Sequence, residues 1–507
     1  MKRLLPALLL GLLPVRAAED PAPPDLLRFT NGNRLDGHFG GLKPGPTLLW
    51  QRDDVAAPVE FKTSQLRQVV LRGGHAAKPF TDLSSIGLIN GDRIPGTITS
   101  LNDHEVTIDT VFAGPMIVRR DNVSLLAPNP LGGRLLYSGP FSGEGWTQSA
   151  PQEDRSGLTL PPTNEKKDDD DVPKGPAWSY SGGSWYSRQG QSALIRNVGL
   201  TDRSVVRFHL AWKSRLAIAV AFQADLKEAP KPKNAEEGKE AKAPGRMGMG
   251  MDVGGSTSYP KLFGNAYVMN LYPNYVILYR SGYDADGKPY VDRIQAGGTN
   301  IRLAEAGEAD VELRCNRLTG EISLFLNGEF ALQWTEPTGA GKNGYAGQGG
   351  ALGFMVQSSG TPVRVSDVVA AEWNGMPDAA RSLQADDQDI VLLTNGTDRF
   401  SGEVSGLAEG KLQLKGRYGN FDFPISEVSE VRFARNHQAK KAAEPSEAVF
   451  VRFHPFGRVS GAPSDGPAGT LSLTTPLSGK INLNLDYAVM VDFKNSTSFL
   501  DDWDPQY

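Results

Sequence analysis

The sequence predicts an all-β protein in which one large β-sandwich is inserted between two pairs of small five-stranded units. Three observations predict it. Apolar and polar residues alternate over five to eight residues along most of the chain, the period of a half-buried strand rather than of a helix. The 57 glycines and 35 prolines among 507 residues are enough to separate such stretches by turns throughout. One pattern of strand, Asn-Gly turn and later glycine recurs towards both ends, and a different pattern fills the middle.

The chain opens with "MKRLLPALLLGLLPVRAAED". Lys2 and Arg3 precede an apolar centre from Leu4 to Leu13, and Val15-Arg16-Ala17 has the small residues a signal peptidase reads. Residues 1–17 are therefore expected to be a signal peptide, and the mature chain to be secreted or periplasmic. No later run approaches the roughly 20 apolar residues of a membrane helix, so no transmembrane segment is expected. A net charge of -5 gives no basic field for nucleic acid. Cys315 is the only cysteine, which excludes an intrachain disulfide and a thiolate metal cluster. It lies in "DVELRCNR", where alternation predicts a strand interior and an inert thiol.

The repeat reads "LRFTNGNRLDGHFGGL" from Leu27, "LINGDRIPGTITSL" from Leu88 and "LLTNGTDRFSGEVSGL" from Leu392. Asn90 and Val123 stand 33 residues apart, as do Asn395 and Val428, and Asn31 and Leu66 stand 35 apart. A divergent fourth copy, "FVRFHPFGRVSGAP", keeps Gly457-Arg458 and Gly461 without the Asn-Gly. The units span 25–72, 83–127, 386–434 and 448–495. Asn-Gly predicts a tight hairpin turn with positive φ at both residues. Gly37, Gly96 and Gly402 suit a strongly bent strand where a side chain would collide. Five bent strands of this length resemble SH3-like or Sm-like small barrels, whose motif carries no single activity. A small barrel buries too little surface to be very stable alone, so sequence neighbours are expected to pair, as 25–127 and 386–495. Self-association through barrel edges follows as a further expectation.

Residues 132–376 break the repeat. Charged and Pro/Gly-rich stretches at about 150–174 and 226–260 predict disordered insertions. Between them come strand after strand: "AYVMNLYPNYVILYRS", "DVELRCNRLTGEISLFLNGEFALQW", "GALGFMVQSSGTPVRVSDVVAAEW". With an opening Trp and the polar "GGSWYS" strand, this order resembles a concanavalin-like jelly roll of the laminin-G type. More narrowly it is similar to the secreted 3-keto-glycoside hydrolase-like domain family of planctomycetes and verrucomicrobia. That resemblance implies a jelly roll and a glycan as ligand or substrate. The chain departs from it at "SRLAIAVAFQ", where the family commonly carries polar residues near its sugar site.

No arrangement of carboxylates singles out an acid–base pair. The "NEKKDDDD" and "YDADGKPY" stretches lack the ligand order of a calcium loop, and the six histidines show no zinc spacing. Catalytic residues are therefore unassigned, and neither a metal nor a cofactor is expected. Aromatics are the better lead. Trp185, Tyr186, Tyr272, Tyr275 and Tyr279 lie in or beside strands with aliphatics on the opposite face; they either fill the sandwich core or stack on sugar rings. The recurrent Arg34, Arg93 and Arg399 either cover the barrel bottoms or line a groove for an acidic ligand. The expected function is a non-catalytic binding or scaffold protein recognising a glycan or cell-surface protein. A glycoside hydrolase and a self-assembling subunit are the alternatives.

Overall fold

The computed structural model describes residues 23–45, 47–149, 176–187, 190, 192–213, 215–230, 259–294, 301–303, 307–336, 347–357, 362–375, 385–440, 445, 447–467 and 470–493. The expected signal peptide, the insertion at 150–174 and most of that at 226–260 lie outside the described residues. The fold is all-β, with one five-residue α-helix, Tyr259–Phe263, among them.

In each outer unit the first strand pairs with both the second and the last. In the first unit Asp25–Phe29 pairs with Arg34–Lys43 and Leu66–Val70. Asp389–Leu393 of the third does the same with Arg399–Ala408 and Val428–Arg432, and Val449–Phe453 of the fourth with Arg458–Pro463 and Ala488–Phe493. The second unit breaks its long strand at Gly96 into Arg93–Pro95 and Thr97–Leu101, and Ser85–Leu88 pairs with Arg93–Pro95 and Val123–Ala127.

The Asn-Gly turn differs in detail from its expectation. Gly32, Gly91 and Gly396 have positive φ, whereas Asn31, Asn90 and Asn395 do not. Gly91 N–H donates to the Leu88 carbonyl at 2.9 Å and Leu88 N–H to Asp92 at 2.8 Å, with the same pattern around Phe29; in the third copy Gly396 N–H donates to Leu393, and Leu393 N–H reaches one residue further, to Asp398, both at 3.0 Å. In the first two copies this is a type I turn closed by a glycine bulge, and in the third a loop one residue longer built around the same turn. The asparagine is there for its side chain: its Oδ1 accepts the N–H two residues on, at 3.0, 3.1 and 3.0 Å in the three copies. The later glycine behaves as predicted in all four copies. A Cβ at Gly37, Gly96, Gly402 or Gly461 would stand 2.6, 2.5, 2.3 or 2.9 Å from a carbonyl oxygen of the next strand.

The units do not pair as sequence neighbours. The last strand of the first unit pairs with that of the fourth, Val70 opposite Met490, and the last strand of the second with that of the third, Leu126 opposite Val431. The second and fourth units also meet at Arg93 opposite Arg458. The physical reason lies in the last strands themselves: Ala488–Phe493 and Val428–Arg432 are buried at every residue, so both faces and one edge must be covered. All four units contribute to one apolar core, from Leu27 and Val69 through Val118 and Val431 to Val491. Phe80, between the first two units, completes it by stacking on Tyr487 at 5.4 Å and meeting Phe112 and Phe453 at 6.1 Å.

The middle segment is a sandwich of an eight-stranded and a seven-stranded antiparallel sheet. Its core includes Trp178, Phe208, Phe222, Trp334 and Phe354. The segment enters and leaves at one place: Gly133 N–H donates to Glu372 at 2.9 Å, and Glu372 N–H to Arg134 at 2.8 Å. Insertion into the frame of units therefore displaces neither end. Cys315 is buried in this core, and burial pushes its thiol well above the ordinary range.

Candidate functional site

The outer face of the seven-stranded sheet is built from small residues. In strand Ile218–Ala224, Ile218, Val220 and Phe222 point into the sandwich core, while Ala219 and Ala221 point outward. Ala351 and Met355 of the next strand share that outer face. The helix Tyr259–Phe263 lies on this floor, so close that a Cβ at Gly353 would stand 2.5 Å from the Phe263 ring. The "SRLAIAVAFQ" stretch, which departs from the resembled family, is thus the seat of a helix. Tyr259 and Pro260, expected within a disordered insertion, are buried in that helix.

At the end of this floor the sheet carries polar and aromatic groups together. Strands Ala266–Leu271 and Val276–Tyr283 form a hairpin whose turn holds Tyr272, Pro273, Asn274 and Tyr275. Tyr272 N–H donates to the Tyr275 carbonyl at 3.0 Å, and the two rings stack with centroids 4.5 Å apart. Tyr275 is 42% exposed and Tyr272 half-buried behind it. Asn270, 3% exposed, accepts from the Tyr259 hydroxyl at 2.9 Å, and that hydroxyl accepts from Gln357 Nε2 at 2.9 Å. Burial pushes the Tyr272 phenol above its ordinary range; the Tyr275 and Tyr279 neighbours act the same way, and hydrogen bonds from Gln357 and Asn270 oppose them. Tyr279 stands opposite Val268 on the same face, its ring 6.4 Å from that of Tyr259. Chemically the arrangement offers a flat exposed ring with the half-buried Tyr272 and Gln357 beside it, held by the buried Asn270 and Tyr259.

The structure thus brings together Tyr272, Tyr275 and Tyr279 but not the other residues read from the sequence. Trp185 is 5% exposed in the sandwich core, against Tyr180 at 5.4 Å and Trp146 at 6.2 Å. Tyr186, 41% exposed, lies on the eight-stranded sheet opposite Arg364. Arg93 is 5% exposed at the meeting of the second and fourth units, whereas Arg34 and Arg399 are exposed. Tyr259, Asn270 and Gln357 were missed. Two signals were present: Tyr259, Leu262 and Phe263 have the spacing of one helical face, and Asn270 is a polar residue in an otherwise apolar strand, "AYVMNL".

A separate cleft of about 550 Å³ lies where the first unit, the fourth unit and the sandwich meet, lined by His75, Tyr137, Glu144, Arg196 and His454 among others. Burial pushes the Tyr137 phenol up to about 12. Burial lowers the His454 pKa below 6.5, and the neighbouring His75 lowers it further. A depressed histidine supplies stability at high pH that is lost as pH falls, because the unfolded chain takes up the proton first. Melting temperature should therefore drop between about pH 7.5 and about pH 5, and His454→Gln should drop less than the parent in the same scans.

No family model matches the chain, and no curated protein matches it. Among solved structures, a carbohydrate-binding module from Bacillus subtilis is 12% identical and covers 45% of this chain and 94% of its own, with a TM-score of 0.25. A cellulose-induced protein is 11% identical over 46% and 96%, with a TM-score of 0.27. A Bacillus subtilis protein of unknown function with a galectin-like fold is 12% identical over 48% and 98%, also at 0.27. At these scores the likenesses carry no argument, and the fold rests on the strand pairings described above.

Proposed function

We propose that the protein is a glycan-binding protein, exported by its N-terminal segment, whose sandwich presents the Tyr272–Tyr275 face and whose four small units form the frame that holds it. The observation that carries this reading is the exposed Tyr275 ring backed by Tyr272, beside the Asn270–Tyr259–Gln357 hydrogen-bond chain. A sugar ring lays its C–H face on an aromatic plane while its hydroxyls take hydrogen bonds from amides and phenols. The ring is placed by a two-strand hairpin with a paired strand on either side, so little ordering is needed on binding.

The test is a glycan array on the full-length protein, followed by titration calorimetry on the best ligand. Tyr275→Ala should weaken binding by about tenfold, the upper range for one aromatic contact. Tyr186→Ala, exposed on the other sheet, should leave affinity unchanged. Equal losses in both variants, or none in Tyr275→Ala, would place the ligand elsewhere.

A further inference from the structure

We propose that the ligand of the tyrosine face is an acidic glycan, and that Arg293 and Arg302 receive its carboxylate or sulfate groups. The inference rests on the reading of that face as a glycan site and names the charge of what binds there. Placement is the first reason. Arg293 is directly opposite Tyr279 on the edge strand Pro289–Ile294, and residues directly opposite share a face of the sheet. Ile294 belongs to the sandwich core, whereas Val291 packs on the outer floor with Tyr279; by alternation Arg293 stands on the outer side. Arg302 comes to the same turn from another segment. It is exposed between the buried Ile301 and Leu303, and Leu303 N–H donates at 2.7 Å to the carbonyl of Pro273, inside the Tyr272–Tyr275 turn.

The second reason is the balance of charge. Asp292 is the only acidic residue in the seven described strands of this sheet. It stands opposite Arg280, one residue out of step with Arg293, and therefore on the other face. The turn 272–275 and the helix Tyr259–Phe263 contain no Asp or Glu. Among the described residues, neither Arg293 nor Arg302 has a hydrogen-bond or ion-pair partner. A chain of net charge -5 thus presents, on this face and its turn, positive charge without a carboxylate to answer it among the described residues.

The third reason is chemical. A guanidinium presents parallel N–H groups that match the oxygens of a carboxylate or a sulfate ester, while an aromatic ring takes the C–H face of the same sugar. The charge of Arg293 is felt at the tyrosines: burial pushes the Tyr279 phenol above its ordinary range, and Arg293 pulls it back. Both arginines stand on fixed backbone. The strand of Arg293 is paired along all six residues with Val276–Tyr283, and Arg302 is pinned by its two buried neighbours. An anion would meet them without displacing a protein partner, and ordering is confined to the side chains. A neutral glycan would meet the ring and leave both cations to water.

Calorimetric titration of the full chain with tetragalacturonic acid and with its neutral methyl ester tests the proposal, with galactose 6-sulfate and galactose as a second pair. The charged member of at least one pair should bind about tenfold or more tighter at low salt, and the gap should narrow as sodium chloride is raised. A gap in the first pair identifies a carboxylate, and a gap in the second pair alone a sulfate ester. The double variant Arg293→Gln/Arg302→Gln should bring the charged ligand down to the affinity of its neutral partner. Arg293→Lys/Arg302→Lys, which keeps the charge without the fork, should retain part of the gap. Arg417→Gln, exposed in the third unit, should retain all of it, and Tyr275→Ala should weaken charged and neutral ligands alike. Equal binding within both pairs, while Tyr275→Ala still weakens both members, would overturn the charge assignment and leave the glycan reading standing. A preference that survives the double glutamine variant, or that falls equally in Arg417→Gln, would overturn it too. Unchanged binding of every ligand in Tyr275→Ala would instead remove the reading on which it rests.

Discussion

Asp92→Ala is expected to destabilise the protein by about 3–5 kcal/mol, the range for removing one member of a buried ion pair. The Asp92 side chain is 3% exposed and ties the second unit to the fourth. It accepts from Asn90 Nδ2 at 2.9 Å, Ser460 N–H at 3.0 Å, Ser460 Oγ at 2.8 Å and Arg458 Nε at 3.3 Å. Alanine leaves the Arg458 charge and three donors facing a space where a carboxylate stood. Burial pushes the Asp92 carboxyl above its ordinary range, against the pull of Arg458 and Ser460; the neutral Asp92→Asn, which keeps an acceptor oxygen, should therefore fall between parent and alanine. The repeat supplies the control. Asp398, its counterpart in the third unit, is exposed and takes its side-chain hydrogen bond from Asn395 in its own turn, so Asp398→Ala should stay within about 0.5 kcal/mol of the parent. Urea unfolding of the three variants and the parent measures all of this. A loss below about 1 kcal/mol in Asp92→Ala would mean that the two units do not depend on this carboxylate.

Tyr259→Ala is expected to cost about 3–5 kcal/mol, as truncation of a large buried ring does. Tyr259 is 1% exposed and belongs to the apolar cluster that seats the helix on Ala219, Ala221 and Val268. Tyr259→Phe separates packing from polarity. It keeps the ring and removes the hydroxyl that joins Gln357 to Asn270, which should cost about 1–3 kcal/mol for the polar groups left behind. If the proposed glycan face depends on those amides being held in place, Tyr259→Phe loses affinity while remaining folded at room temperature. Unfolding curves and calorimetric titration of the same preparations give both quantities. Unchanged affinity in a folded Tyr259→Phe would show that the amides do not contact the sugar.

The units and the strand-rich middle were legible because local patterns carry them. Asn31, Asn90 and Asn395 each precede a glycine, and the glycine six residues after the first two, and seven after the third, marks the bend. Even the misread turn geometry left the hairpins in place, since a type I turn with a bulge joins the same strands. Which unit meets which was not legible. That choice depends on Val70 finding Met490 and Leu126 finding Val431, and a buried strand advertises its need for a partner without naming it. The tyrosine face was half legible for a similar reason. Tyr272 and Tyr275 are neighbours in the chain, whereas Tyr259, Asn270 and Gln357 come from three separate segments. Tyr259 in particular follows a stretch whose composition predicts no structure.

The pairings nest like brackets: the second and third units close around the sandwich, and the first and fourth close around them. A chain made from its N-terminus cannot complete such an order from the outside in. Val70 emerges 420 residues before its partner Met490, a wait of roughly 20–80 s at about 5–20 residues per second. Throughout that interval the edge of Leu66–Val70 that Met490 covers lacks its partner. The closing unit is therefore a latch, and loss of the final strand Ala488–Phe493 would undo the beginning of the protein as surely as its end.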